Sequence, residues 1–227
     1  MCAIVDKPHR LNIRRHSCWD KNTKLPKLIS LNLRHNKITK IVDENFVNAS
    51  ELTSLILDQN EIKTLESGNF DAIPKLKILY LGSNKIENIH VDAFKNLPEL
   101  EMLFIQKNKT QSIKPLTFQL PKLSPISLRN NEIKEIVKDM FKGVFVPLEE
   151  LYHLDLSGNL LGKIYISDFL ELKKVAGLEL NNNKIKNIEH KAFRELTLLQ
   201  MLNLVNNNID YSVFDNSTLE NIKMVFI

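Results

Sequence analysis

The sequence predicts an α/β solenoid. A curved parallel sheet should line its concave face, and a mostly irregular or 3-10 convex side should back it. Three observations carry this reading. An apolar frame of seven positions recurs along the 227 residues, an asparagine stands inside each frame, and a phenylalanine closes seven of eight units. Self-similarity at a period of 20 to 50 residues is the signature of a repeat architecture.

The unit Leu76–Pro98, LKILYLGSNKIENIHVDAFKNLP, shows the frame most clearly, with apolar residues at Leu76, Leu79, Leu81, Ile86, Ile89, Phe94 and Leu97. Units open at Leu28, Leu52, Leu76, Leu100, Leu123, Leu151, Val175 and Leu199, spaced by 24, 24, 24, 23, 28, 24 and 24 residues. The opening L-x-x-L-x-L reads as a short strand, because alternate side chains of a strand point to opposite faces. One unit buries too little apolar surface to offset the entropy of ordering its backbone, so the units must stack to fold.

Asn36, Asn60, Asn84, Asn108, Asn131, Asn159, Asn183 and Asn207 follow the strands without a miss. A tight turn after each strand leaves backbone groups facing inward. An asparagine amide, with two donors and an acceptor, can bond its own turn and a neighbouring one. The ladder is therefore read as structural. Phe46, Phe70, Phe94, Phe118, Phe141, Phe169 and Phe193 close the units.

Residues 1–27 read as an N-terminal cap region, in which Leu11 and Ile13 could form a degenerate strand. Residues 28–221 hold the eight repeats, and 222–227 read as the start of a ninth, after which the chain is expected to continue. Pro125 falls in the fifth strand and removes a ladder donor, which central strands rarely tolerate. The same repeat carries an insertion around 144–150, so a bend or protruding loop is expected there.

This frame resembles the 24-residue "typical" subfamily of leucine-rich repeats found in Toll-like receptor ectodomains, Slit and insect secreted or surface proteins. The resemblance implies a horseshoe fold and recognition of a protein ligand or co-receptor outside the cell, with no cofactor. A structural or adhesive role, in matrix or by homophilic association, and an intracellular scaffold are the alternative readings. Extracellular N-caps of that kind usually carry four cysteines. This chain offers Cys2 and Cys18, which either stay as thiols or close a loop of about 15 residues, worth roughly 3 kcal/mol.

Composition excludes several classes. A net charge of +4, scattered among nearly as many acids, gives no nucleic-acid footprint. No apolar run approaches a membrane span, and two cysteines with no histidine pair at ligand spacing build no metal site. Ser127, His153 and Asp155 share the outward face of neighbouring strands. An open sheet offers no oxyanion hole, so they read as solvated polar groups and the chain as no enzyme.

Sequons stand at Asn48, Asn108 and Asn216. Asn48 and Asn216 are candidate glycosylation sites, whereas Asn108 is a ladder residue and is expected to stay unmodified. The candidate ligand surface is the outward row Asn32, Ile56, Tyr80, Phe104, Ser127, Asp155, Glu179 and Asn203. Ile56, Tyr80 and Phe104 should form an apolar stripe widened by Ile78 and Met102. Asp155 and Glu179 make an acidic segment beyond it, and Arg34, His35 and Lys37 a basic first repeat. Exposed aromatics and methionine mark an interface, or else stack on one another across strands.

Overall fold

The computed structural model describes residues 3–7, 10–13, 27–137, 140–141, 151–210 and 222–227, with side chains from residue 27 onward. Cys2, Cys18, Asn216 and the insertion at 144–150 lie outside the described residues.

One sheet of eleven strands runs the length of the described chain. It opens with β1 (Ala3–Lys7) antiparallel to β2 (Arg10–Ile13). From β2 onward every pairing in the sheet is parallel: β3 (Ser30–Asn32) and β4 (Ser54–Ile56) come first. Two-residue β5 (Thr64–Leu65) and β7 (Asn88–Ile89) pair with each other away from it. Between them in sequence is β6 (Ile78–Tyr80), and β8 (Met102–Phe104) and β9 (Ile126–Ser127) follow in the main sheet. It continues through β10 (His153–Asp155), β12 (Gly177–Glu179), β14 (Met201–Asn203) and β15 (Met224–Phe226). The second small pair is β11 (Lys163–Ile164) with β13 (Asn187–Ile188). Among the described residues helix is confined to a 3-10 turn, Asp43–Asn45. About 24 residues per coil leave the convex side too few for an α-helix to nucleate.

The expected degenerate strand at Leu11 is β2, with Leu11 in register with Leu31. Val225 of β15 is in register with Leu202, as a ninth strand requires. The antiparallel β1 had no counterpart in the repeat frame.

The frame leucines are the core. Leu31, Leu55, Leu79, Leu103, Ile126, Leu154, Leu178 and Leu202 are completely buried, and their outward neighbours are half-buried, save Gly177, which is buried. On the opposite wall the phenylalanines stack in file. Phe70–Phe94, Phe94–Phe118 and Phe118–Phe141 have ring centroids 6.2, 6.1 and 6.2 Å apart, and Phe169–Phe193 5.9 Å. Parallel strands sit about 4.8 Å apart. Each repeat is therefore over 1 Å wider at the phenylalanine wall than at the sheet, and this difference bends the stack with the sheet inside.

Asparagine amides tie each coil to the one before. Asn84 Nδ2 donates to its own Leu81 carbonyl at 3.0 Å and to Leu57 O at 2.9 Å, and Oδ1 accepts the Ile62 N–H at 3.1 Å. Asn60, Asn108, Asn131, Asn159, Asn183 and Asn207 repeat the pattern. Asn159 keeps it across the long fifth repeat, reaching Leu128 O at 3.0 Å. Asn36 donates to its own Leu33 O at 2.8 Å. The residue before each ladder asparagine is left-handed: His35, Gln59, Ser83, Lys107, Asn130, Gly158, Asn182 and Asn206 have φ from 53° to 66°. Only asparagine and glycine adopt that region readily, so the C-terminal half suits its turns better than the N-terminal half.

Pro125 leaves the sheet unbroken. Strand β9 starts after it and is two residues long where its neighbours have three. Elsewhere one carbonyl accepts two successive amides, as Lys77 O takes Glu101 N and Met102 N. At the proline Glu101 O receives the Ser124 amide, at 2.7 Å, and Pro125 has no N–H to add.

Asp168 is an exception within the core. It precedes Phe169, where other repeats carry Asn69, Ala93, Thr117 and Ala192, all buried. Asn69 there accepts the Glu66 amide at 2.7 Å and donates to Ile41 O at 3.2 Å. Asp168 Oδ2 accepts the Tyr165 amide at 2.8 Å, but an ionised carboxylate has no proton to donate. Burial pushes its carboxyl up from 3.8 to about 6, opposed by the Tyr165 hydrogen bond and Lys163 and reinforced by Glu189 and Glu135. A raised native pKa favours the neutral acid, so this contribution is present below about pH 4 and lost as pH rises through 6. Asp168→Asn is accordingly expected to gain about 1–2 kcal/mol at pH 7.5, after discounting for solvent screening, and almost nothing at pH 4. Urea unfolding of both proteins at the two pH values checks it; an equal effect at both would refute it.

Candidate ligand-binding face

Strand register builds the outward face directly. Asn32, Ile56, Tyr80 and Phe104 are consecutive partners, then Ser127, Asp155, Glu179, Asn203 and Phe226. One step earlier on each strand, Ser54, Ile78 and Met102 align. Sequence spacing thus places Ile56, Ile78, Tyr80, Met102 and Phe104 together, and the structure does the same.

These five side chains are half-buried. Tyr80 and Phe104 stack with centroids 4.9 Å apart and planes 11° from parallel. Their mutual packing covers part of each ring, as the cross-strand stacking reading expects, and both side chains stay half-buried.

The acidic segment is less uniform than its sequence. Asp155 Oδ1 accepts the Ser157 amide at 3.0 Å and its hydroxyl at 2.6 Å, and Oδ2 faces Ser127 Oγ at 3.3 Å. Ser127 thus donates to Asp155. His153 instead lies across Gly177: a Cβ there would be 2.6 Å from His153 Nδ1. The serine, histidine and aspartate are not arranged as a hydrolytic relay. Among the described residues the Glu179 side chain has no hydrogen bond and no ion pair.

The basic first repeat is also partly engaged. Arg34 Nε donates to Gln59 Oε1 at 2.7 Å. Asp58 Oδ1 accepts the Gly82 amide at 2.7 Å. Burial raises the Asp58 carboxyl above its ordinary value, against the Gly82 hydrogen bond and the Arg34 charge. Gly82 makes this approach possible, since a Cβ would stand 2.6 Å from Gln106 Nε2 and 3.0 Å from Asp58 Oδ1. Sequence reasoning missed this cluster; a glycine at the outward position just after the strand was the available signal.

The sequons differ in access. Asn108 Nδ2, the atom a glycan would need, donates to Leu81 O and Ile105 O at 3.0 and 2.9 Å. Its threonine, Thr110, is fully buried and bonds Ile86 O at 3.1 Å. Asn48 is half-buried beside the 3-10 turn.

A parallel sheet whose coils are tied back by an asparagine ladder and walled by stacked phenylalanines defines a leucine-rich repeat solenoid. The chain belongs to the leucine-rich repeat family. One family model described as "Leucine rich repeat" matches residues 50–109, 98–161 and 149–209, and another of the same description matches 27–49. No curated protein matches the chain. Among solved structures it is similar to a chain of the TLR13–ssRNA13 complex, at 27% identity and TM-score 0.82, over 89% of this chain and 29% of that one. It is also similar to a chain of the octameric complex of latrophilin 3, Unc5D and FLRT2 (the last a leucine-rich repeat protein). There identity is 27% and TM-score 0.73, over 86% of this chain and 59% of that one. The Drosophila Toll–Spatzle complex shares the fold at 20% identity and TM-score 0.70, over 88% and 31% of the two chains. The chain thus spans under a third of the TLR13 chain it matches. Among the described residues no helix is long and apolar enough to cross a membrane.

Proposed function

We propose that the chain is a non-enzymatic, extracellular protein-recognition module, part of a secreted protein or receptor ectodomain, that binds its ligand on the concave sheet face. The observation that carries this reading is the apolar patch Ile56, Ile78, Tyr80, Met102 and Phe104 on a sheet held rigid by the asparagine ladder. Side chains fixed from beneath lose little conformational freedom when a partner covers them. Among the similar structures, Toll is in complex with Spatzle, and FLRT2 with latrophilin 3 and Unc5D. The TLR13 complex contains ssRNA. An acidic row beside the aromatic pair would repel phosphates, which favours a protein ligand here. In this setting Cys2 and Cys18 would form a disulfide, and Asn48 and Asn216 would accept glycans.

The test is affinity capture from native extracellular fluid and membrane extract, comparing the intact chain with Tyr80→Ala/Phe104→Ala. Partners of this face are expected to be lost with the double variant while its thermal unfolding moves little. Identical capture by both proteins would sink the assignment to this face.

A further inference from the structure

We infer that the partner segment seated on this face carries an apolar side chain over the Tyr80–Phe104 stack and a lysine or arginine about four residues away over Glu179. This rests on the concave-face reading and adds the partner's chemistry and direction.

Three features lead to it. The first is the charge left uncompensated at the end of the apolar stripe. Glu179 is half-buried between Asp155 and Asn203 in the outward row, and its carboxylate has no partner among the described residues. Asp155 gathers its three donors from Ser127 and Ser157, all neutral, so its charge also stands unbalanced.

The second is an unsatisfied acceptor two residues away, which a partner engages by turning the Asn181 amide outward. Two residues along from Glu179 on the same face, Asn181 Oδ1 is buried without a hydrogen-bond partner. Carboxylate and amide oxygens together call for a group that only donates, and lysine and arginine are the side chains of that kind. The groups around Glu179 do not supply one. Gly177 and Met201 are on the adjoining row, and His153 is turned across Gly177. Arg129 is exposed on the row of Ser157 and Asn181, but its strand is two positions away, about 10 Å.

The third is spacing. From Phe104 to Glu179 the row takes three steps, through Ser127 and Asp155. Three steps are about 14 Å, and an extended chain lying across the strands covers that in about four residues. The apolar anchor supplies burial, and the charge pair, shielded once the partner excludes water, fixes the direction in which the segment lies.

Panning a phage-displayed library of random dodecapeptides on the full chain tests this, with Glu179→Gln and Tyr80→Ala/Phe104→Ala as controls. Enriched peptides should pair an apolar residue with Lys or Arg about three to five residues away. Synthetic copies should bind Glu179→Gln about tenfold more weakly than the wild type. Changing the peptide's basic residue to alanine should give the same loss and add nothing on the Glu179→Gln background. Acidic enriched peptides, or affinities indifferent to Glu179→Gln, would overturn the inference. So would a single-stranded oligouridylate that displaces the peptides and binds Glu179→Gln more tightly. A library that yields no binder also overturns it while leaving the proposed function to the capture experiment, where a folded partner lost from the double variant would uphold that reading alone.

Discussion

Phe94→Ala should lower the free energy of unfolding by about 3–5 kcal/mol, the cost of a large cavity in a packed core. Phe94 is 1% exposed and is sandwiched between Phe70 at 6.2 Å and Phe118 at 6.1 Å. Alanine removes both stacking contacts and leaves a void that the flanking rings, held by their own coils, cannot close. Since the ring file sets the width of the convex wall, its loss strikes the curvature as well as the core. Urea unfolding followed by far-UV circular dichroism measures the effect. A loss below about 1 kcal/mol would mean that the wall collapses without penalty and that the rings are not part of the cooperative core.

The second large effect is Asn84→Asp, a change of one atom in the ladder. At neutral pH a cost of about 3–5 kcal/mol is expected, the range for a buried charge deprived of its partner. Its carboxylate could still accept the Ile62 amide, as Asn84 Oδ1 does at 3.1 Å. Its other oxygen would meet the carbonyls of Leu57 and Leu81, which Asn84 Nδ2 now approaches at 2.9 and 3.0 Å. Two acceptors would then face a third. Asn84→Ala removes the same donor without adding a charge. It should cost less, about 1–3 kcal/mol, because one buried amide is left unmade. Leu57 and Leu81 each keep a second ladder donor, from Asn60 and Asn108. Protonation would restore a donor to the aspartate, so its native pKa is raised. The stability it retains should be greatest in acid and fall as pH rises through that pKa. If Asn84→Asp and Asn84→Ala are equally stable at pH 7.5, the buried carboxylate carries no penalty against the two carbonyls; if Asn84→Ala matches the wild type, the ladder does not depend on the amide donors.

Much of the candidate binding face was legible because a strand has a period of two. Once Leu79 and Leu81 are inward, Ile78 and Tyr80 must be outward, and equal spacing from repeat to repeat puts Ile56 and Phe104 beside Tyr80. The charged residues were less legible, because period says which face a side chain takes but not what it reaches. Asp155 is occupied by two serines and Arg34 by Gln59, while Glu179, identical in pattern, is left unpaired. Only the depth left by Gly82 explains how Asp58 reaches a backbone amide.

The amino-acid sequence by itself determined the coil. Leucines, asparagines and phenylalanines at fixed offsets specify strand, turn and wall through local geometry and burial, and each repeat restates the same instruction. Tertiary structure decided what falls between the fixed letters. The Asp58–Gly82–Gln106 cluster arises where residues 24 apart meet, and the neighbouring coils bury Asp168 and bring Glu189 and Glu135 to bear on it. The physical reason is that stacking fixes which outward neighbours share a hydrogen bond and how much water they lose. Those two quantities set the energy of a polar side chain, and neither is written in its own repeat.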